Sequence, residues 1–197
     1  MLNEIIAVVL GYLIGSIPSA YIIGRLVGKI DLRQEGDGRI SAAAVHRKLG
    51  VVPFLVVVVM DVSAGVLSVL IAKILTGAPL GVFTDSQLAV LAAGLAAVAG
   101  HNWPVFLKFK GGLGATTIYG VLVTLVWWQF LVMAVLAFSI FLITKRKHPG
   151  LMTAILIVGL SAFLFVQKLP WILVIYPFIL ITLMLLKRFQ ISKTVAR

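Results

Sequence analysis

Long apolar runs separated by short polar segments set the pattern of this chain. Ile5 to Leu26 predicts a first helix, with Pro18 as a kink. Val51 to Leu75 predicts a second, with Asp61 inside it, and Leu88 to Val98, extending toward Trp103, a third. Leu151 to Val166 and Pro170 to Leu186 predict two more. Runs approaching ~18–20 apolar residues read as membrane-crossing helices. The stretch from Leu113 to Ile143 does not fit one crossing. As a single helix it would reach about 46 Å at ~1.5 Å per residue, against a hydrocarbon core of ~30 Å.

The positions of the basic residues settle that stretch. Lys29, Arg33, Arg39, Arg47 and Lys48 share one polar segment, and the next, Thr76 to Ser86, has no lysine or arginine. Lys108 and Lys110 follow, then Lys145, Arg146 and Lys147, then Lys187, Arg188, Lys193 and Arg197. Short loops rich in lysine and arginine stay on the cytoplasmic side. An even number of crossings therefore separates Lys110 from Lys145, and the 113–143 run makes two short spans that turn near Trp127, Trp128 and Gln129. Tryptophan is at home at that interfacial depth. The expectation is an all-α integral membrane protein with about seven transmembrane helices, N-terminus outside and C-terminus cytoplasmic. It forms one polytopic membrane domain over 1–197, with cytoplasmic motif loops at about 29–50, 104–113 and 145–150 and a tail at 187–197.

Composition agrees with this reading. Hydrophobic residues make up 61% of the chain and the mean hydropathy is +1.15, against roughly 45–50% apolar in a soluble domain. The net charge of +11 would fit a nucleic-acid partner, but these charges sit in loops between spans and form no basic domain face. With no cysteine, disulfides and thiolate chemistry are excluded. The N-terminal segment carries Glu4 and lacks a basic start, so it reads as a retained span and not a signal peptide.

Three polar segments could carry chemistry. Asp31 to Gly50 is long for a helix connection, and such loops tend to be functional. Gly36 and Gly38 allow amides to converge on an anion, and Ser41 can cap a helix beginning there. The other reading is a solvated loop whose charges only set topology. Gly100 to Gly114 holds His101, Asn102, Lys108, Lys110 and the glycines Gly111, Gly112 and Gly114. His101 could bind an anion, take protons or cap a helix end. The glycine loop matches neither nucleotide fingerprint, since Ala115 follows Gly114 and Thr117 stands where a last glycine would be. Asp61 within an apolar run marks either a functional site or a helix-packing role paired to a cation or hydroxyl. The histidines His46, His101 and His148 lie far apart without a carboxylate cluster, so no metal site is expected.

GSIPSAYIIGRL followed by DLRQEG, and then GHNWPVFLKFKGG, resemble the acyl-phosphate-dependent glycerol-3-phosphate acyltransferases of bacteria, the PlsY family. The resemblance implies a multi-pass enzyme of the bacterial inner membrane, working among membrane lipids. It would move a fatty acyl group from acyl phosphate to glycerol 3-phosphate, giving lysophosphatidic acid, with no metal, nucleotide cofactor or nucleic acid. It assigns phosphate binding to the matching Arg47. The motifs also depart from the family. Asp37 stands for a serine, Arg39 and Ala44 for asparagines, and Ala43 for a threonine. Ala64 and Leu113 replace lysines, the second of which contacts phosphate in the family. A lysine removed from a partly desolvated phosphate site forfeits about 1.5–3 kcal/mol. A second reading is therefore a catalytically inactive, family-derived membrane binding or regulatory protein. A small transporter would call for paired broken helices or repeats, which the chain lacks.

Overall fold

The computed structural model describes residues 1–34, 40–78, 86–144 and 149–195, so Gly36, Asp37, Gly38 and Arg39 lie outside the described residues. Pro18 does more than kink the first apolar run. It cannot donate an amide, and the run divides into α1 (Leu2–Gly15) and α2 (Ser19–Val27), with Pro18 at the N-cap of the second. The segment from 29 to 50 contains a one-turn 3₁₀ helix, Leu32–Gln34, and α3 (Ala42–Leu49). Ser41 caps α3 as expected, its hydroxyl accepting from the Ala44 amide at 3.2 Å.

Next comes α4 (Val51–Thr76), which ends at Gly77 in a left-handed conformation. α5 (Ser86–Asn102) and a one-turn 3₁₀ helix, Val105–Leu107, follow. The 113–143 run breaks at Val126, one residue before the expected turn, into α6 (Ala115–Leu125) and α7 (Trp127–Thr144). Val126 sits at φ −139° and ψ 57°, outside the helical region. The Tyr119 and Phe130 ring centres lie 5.9 Å apart. In a straight helix residues so spaced would be about 16 Å apart along the axis, so the chain bends back at Val126. Trp127 and Trp128 are exposed, as an interfacial belt requires.

α8 (Pro149–Val166) and α9 (Trp171–Val195) complete the chain. Hydropathy ends the last span near Leu186, but the helix runs on to Val195, so most of the expected tail is its continuation. Loss of hydrophobicity marks a bilayer boundary and not a helix end, because lysine, arginine and glutamine are good helix formers. Among the described residues, four stretches are long and apolar enough to cross a membrane: Leu2–Val27, Val51–Thr76, Gln87–Leu107 and Trp171–Ser192. Three shorter apolar helices, Ala115–Leu125, Trp127–Ile140 and Leu156–Val166, accompany them.

Small residues let the helices approach. Lipid supplies little hydrophobic drive between helices, so close backbone packing matters. Gly11 and Gly15 of α1 form a G-x-x-x-G face against Ala93 and Ala97 of α5. A Cβ on Gly15 would collide with the Ala97 carbonyl. Gly65 of α4 and Gly120 of α6 press together likewise. The ends of the bundle sort as the charges predict. Asn3 Nδ2 donates to the Leu75 carbonyl at 3.0 Å, joining the N-terminus to the last turn of α4, just before the segment that lacks basic residues. At the turns following α6 and α8, Gln129 Nε2 donates to Gln167 Oε1 at 3.3 Å.

The collision at Gly15 gives a stability prediction. Gly15→Ala should destabilise the protein by about 1–3 kcal/mol, the usual range for overpacking. Thermal or denaturant unfolding in detergent measures it, and an unchanged midpoint would mean that α1 and α5 do not pack this closely.

Candidate functional site

Asp61, about one turn before Gly65 on α4, is 3% exposed. Its carboxyl accepts from the Ser19 hydroxyl at the start of α2 and from Thr116 Oγ1, in the first turn of α6, at 2.7 Å. His101 Nδ1, near the end of α5, lies 3.7 Å from Asp61 Oδ1. Four helices thus meet at one acidic side chain. Of the two readings of Asp61, the hydroxyl-paired packing role is present, and it adjoins the histidine that could do chemistry.

Around His101 the glycine loop folds tightly. The Gly112 amide donates to the His101 carbonyl at 3.2 Å, and a Cβ on Gly112 would come within 2.5 Å of His101 Nε2. Gly114, at φ +77°, begins α6 in a conformation that L side chains rarely adopt. The helix break at Pro18 forms the opposite wall. Between them lies a narrow cleft, partly open to the surface, with room for about one water molecule. Ser16, Pro18 and Ser19 line one side, and Ile40, His101, Gly111 and Gly112 the other.

A second polar cluster sits beside this end of the bundle. Asp31 accepts from the Arg33 side chain at 2.9 and 2.7 Å, from the Arg33 amide at 3.0 Å and from Arg25 Nη2 at 2.6 Å. Both guanidinium groups lie over Tyr21, 5.5 and 4.9 Å from the ring centre. Hydrogen bonding from Arg33, opposed by desolvation, holds the Asp31 carboxyl down to about 2 from 3.8.

The residues singled out in the sequence divide three ways. His101, Gly111 and Gly112 come together in the cleft. Asn102 is fully buried: its Nδ2 donates to the Leu183 carbonyl at 3.2 Å, and its Oδ1, which has no hydrogen-bond partner among the described residues, lies against Gly114. Arg47, Lys108 and Lys110 are exposed and do not line the cleft; Arg47 occupies the last turn of α3. Leu113 is half-buried, Ala43 is exposed, and Ala44 packs in the small core with Leu32, Val45 and Leu107. Ala64 lends its carbonyl to the Ser68 hydroxyl at 2.7 Å.

Sequence reading missed Ser19 and Thr116, which partner Asp61 from 42 and 55 residues away. It also missed the Asp31 cluster and the burial of Lys187. For Asp31 a signal was available, since carboxylate and guanidinium lie two residues apart in DLR.

This architecture is that of a known class of integral membrane enzyme. The chain superposes on PlsY, an integral membrane glycerol 3-phosphate acyltransferase, in its glycerol 3-phosphate form. The TM-score is 0.80 at 28% identity, over 98% of this chain and 92% of that one. The lysophosphatidic acid form of PlsY matches at 0.79 and 27%, with the same coverage. The family model for glycerol-3-phosphate acyltransferase matches residues 5–196, and the chain belongs to that family. It is similar to glycerol-3-phosphate acyltransferase 2 of Moorella thermoacetica, 41% identical over 140 residues that cover 68% of each chain. It is also similar to the glycerol-3-phosphate acyltransferase of Shouchella clausii, 40% identical over 151 residues, 76% of this chain and 71% of that one. Like its relatives, it is a multi-pass protein of the bacterial inner membrane.

Two outcomes follow from the polar contacts. Asp61→Ala orphans two hydroxyls and should lower stability by about 2–4 kcal/mol; unfolding in detergent checks it, and a cost near zero would rule out the junction. The Asp31 carboxyl is depressed, so its contribution is fully present above its ordinary value of 3.8 and lost as pH falls through about 2. In carboxylate-labelled protein, NMR should place the Asp31 titration well below that of an ordinary aspartate, and Arg33→Ala should raise it. A midpoint already near 3.8 in the unmodified protein would contradict the cluster.

Proposed function

We propose that this chain moves a fatty acyl group from acyl phosphate to the 1-hydroxyl of glycerol 3-phosphate, giving lysophosphatidic acid, with weak or altered capacity. The observation that carries this reading is the packing of Gly111 and Gly112 on His101 at the cleft, in a chain that superposes on a glycerol 3-phosphate form along nearly its whole length. The basic segments gathered at this end face the cytoplasm, by the positive-inside rule. Here Ile40 and α3, the 104–112 turn and Lys187 of α9 meet.

An acyl phosphate is a mixed anhydride and already activated. The glycerol hydroxyl oxygen attacks the acyl carbon, the bond from that carbon to the phosphate oxygen breaks, and inorganic phosphate leaves. No covalent enzyme intermediate is needed. The hydroxyl proton passes to His101, the titratable side chain lining the cleft. Asp61 lies 3.7 Å behind its other nitrogen, a negative charge that favours the imidazolium formed. We assign charge and amides for the two phosphates to Arg47, Lys108, Lys110 and the glycines Gly36, Gly38 and Gly114, the three cations standing exposed outside the cleft lining. Apolar helix surfaces hold the acyl chain. Positioning and charge stabilisation then carry the rate.

The second reading keeps the fold and drops turnover: a membrane binding or regulatory protein. What favours it is Leu113 and Asp37 at positions where the family has lysine and serine. One assay separates the two. Purified chain receives acyl phosphate and labelled glycerol 3-phosphate. Lysophosphatidic acid should form, vanish in Arg47→Ala and fall about 10²-fold in His101→Gln. Folded protein giving no product above a mock preparation sinks the enzyme reading. Under that reading of a silenced site, Leu113→Lys with Asp37→Ser should raise activity from nothing.

A further inference from the structure

α9 packs through residues 176, 180, 183, 187 and 190, whose spacing alternates four and three and so stays on one helix face. Tyr176 and Leu180 are buried and Leu183 is half-buried. The next position on this seam, where packing calls for an apolar residue, is Lys187. It is only 4% exposed. Its neighbour Arg188 is exposed and can serve as the topology-setting charge at this boundary. A lysine at the end of a span ordinarily runs its ammonium out to water. Lys187 instead turns inward, and an inward charge at a span boundary is costly unless something there uses it.

What it meets is the glycine loop. Lys187 Nζ donates to the Phe109 carbonyl at 3.3 Å and lies 5.4 Å from the centre of the Trp103 ring, within cation–π range. The flanking seam residues grip the same segment. The Leu183 carbonyl accepts from Asn102 Nδ2 at 3.2 Å, and Gln190 Oε1 accepts from Trp103 Nε1 at 2.9 Å. Three successive seam positions therefore hold residues 102, 103 and 109.

The held segment is one that would not keep its shape unaided. Lys108 and Phe109 have φ of 52° and 63°, left-handed conformations that are costly for residues other than glycine. Two consecutive residues in that state aim the Phe109 carbonyl at α9. The turn then closes through the Phe109 amide on the Pro104 carbonyl at 2.9 Å and the Gly112 amide on the His101 carbonyl at 3.2 Å. The second of these bonds forms the wall of the cleft.

We propose that Lys187 is a positioning residue of this turn: its buried ammonium fixes the Phe109 carbonyl and so holds Lys108 to Gly112 in the shape that presents Gly112 to His101. The consequence for substrate rests on the acyltransferase reading; the positioning itself does not. A residue clamped into the turn acts through the loop and touches no reacting atom, so its loss should weaken phosphate binding more than turnover.

The test uses the full chain in lipid nanodiscs, with Lys187→Met, Lys187→Arg and Arg188→Met. Amide hydrogen exchange should speed up about tenfold or more across residues 106–112 in Lys187→Met, as expected for loss of a charge-assisted bond. Exchange in α1, α4 and α6 should not change. Lys187→Arg should recover most of the protection, and Arg188→Met should behave as the unmodified protein. In the acyl-transfer assay Lys187→Met should raise KM for glycerol 3-phosphate about tenfold with kcat changed less than about threefold. Unchanged loop exchange in folded Lys187→Met, acceleration spread evenly along the chain, or the same effect from Arg188→Met would overturn the proposal. If Lys187→Met does not fold, Lys187→Gln carries the same comparison, with the same outcomes deciding. Should the unmodified chain make no lysophosphatidic acid, the acyltransferase reading fails while the exchange result still decides the role of Lys187.

Discussion

The junction at Asp61 is the constraint on which the rest of this end of the molecule depends. Helices in a bilayer gain little from hiding apolar surface from one another, so their register must come from close packing and polar contacts. Asp61 supplies the polar part. A carboxyl buried among helices has to be satisfied, and the Ser19 and Thr116 hydroxyls do so from two different elements. That fixes the first turn of α2 and the first turn of α6 against the middle of α4. The glycine pair at Gly65 and Gly120 then sets how near α4 and α6 come. Remove the acid, and both side-chain bonds that tie these helix starts to α4 are lost.

From this junction the cleft follows. The start of α2 exists because Pro18 interrupts the first apolar run, and the interruption leaves Ser16 to Ser19 as one wall. The start of α6 exists because Gly114 can take a left-handed φ, and the residues just before it form the other wall. His101 stands between them, one nitrogen toward Asp61 and the other beside Gly112. A break in a membrane helix and a glycine turn, each disfavoured alone, are stabilised by sharing one acceptor. Irregular backbone at such depth is tolerated where it is buried in protein or lines a cavity, and here it does both.

Much of the fold was legible in the sequence because hydropathy and charge report directly on the bilayer. A turn near Trp127 followed from counting basic loops and falls at Val126, and the Ser41 cap followed from its local chemistry. Other features were not legible, for identifiable reasons. The end of the last span was visible at Leu186, but the helix continues, since backbone propensity and transfer free energy are separate properties. Lys187 was counted as one more charge on the inner side. The positive-inside rule counts cations without saying which way they point, and direction distinguishes Lys187 from Arg188. The partners of Asp61 were invisible because lateral contacts between helices leave no periodic trace. For Gly36 and Gly38 the sequence remains the basis of the assignment.

The glycine loop shows why the scaffold and the chemistry of this family can separate. Its shape is set by contacts that make no use of position 113: the Gly112 amide on the His101 carbonyl, Asn102 against Gly114, and Lys187 on the Phe109 carbonyl. Leucine at 113 is therefore compatible with the fold, and its half-buried side chain leaves these contacts in place. A lysine placed at 113 would therefore change the charge of the loop and not its architecture. The same holds at Ala64, whose carbonyl serves Ser68 whatever its side chain. Folding uses Asp61, the glycines and Pro18, and makes no use of the exposed side chains of Lys108 and Lys110.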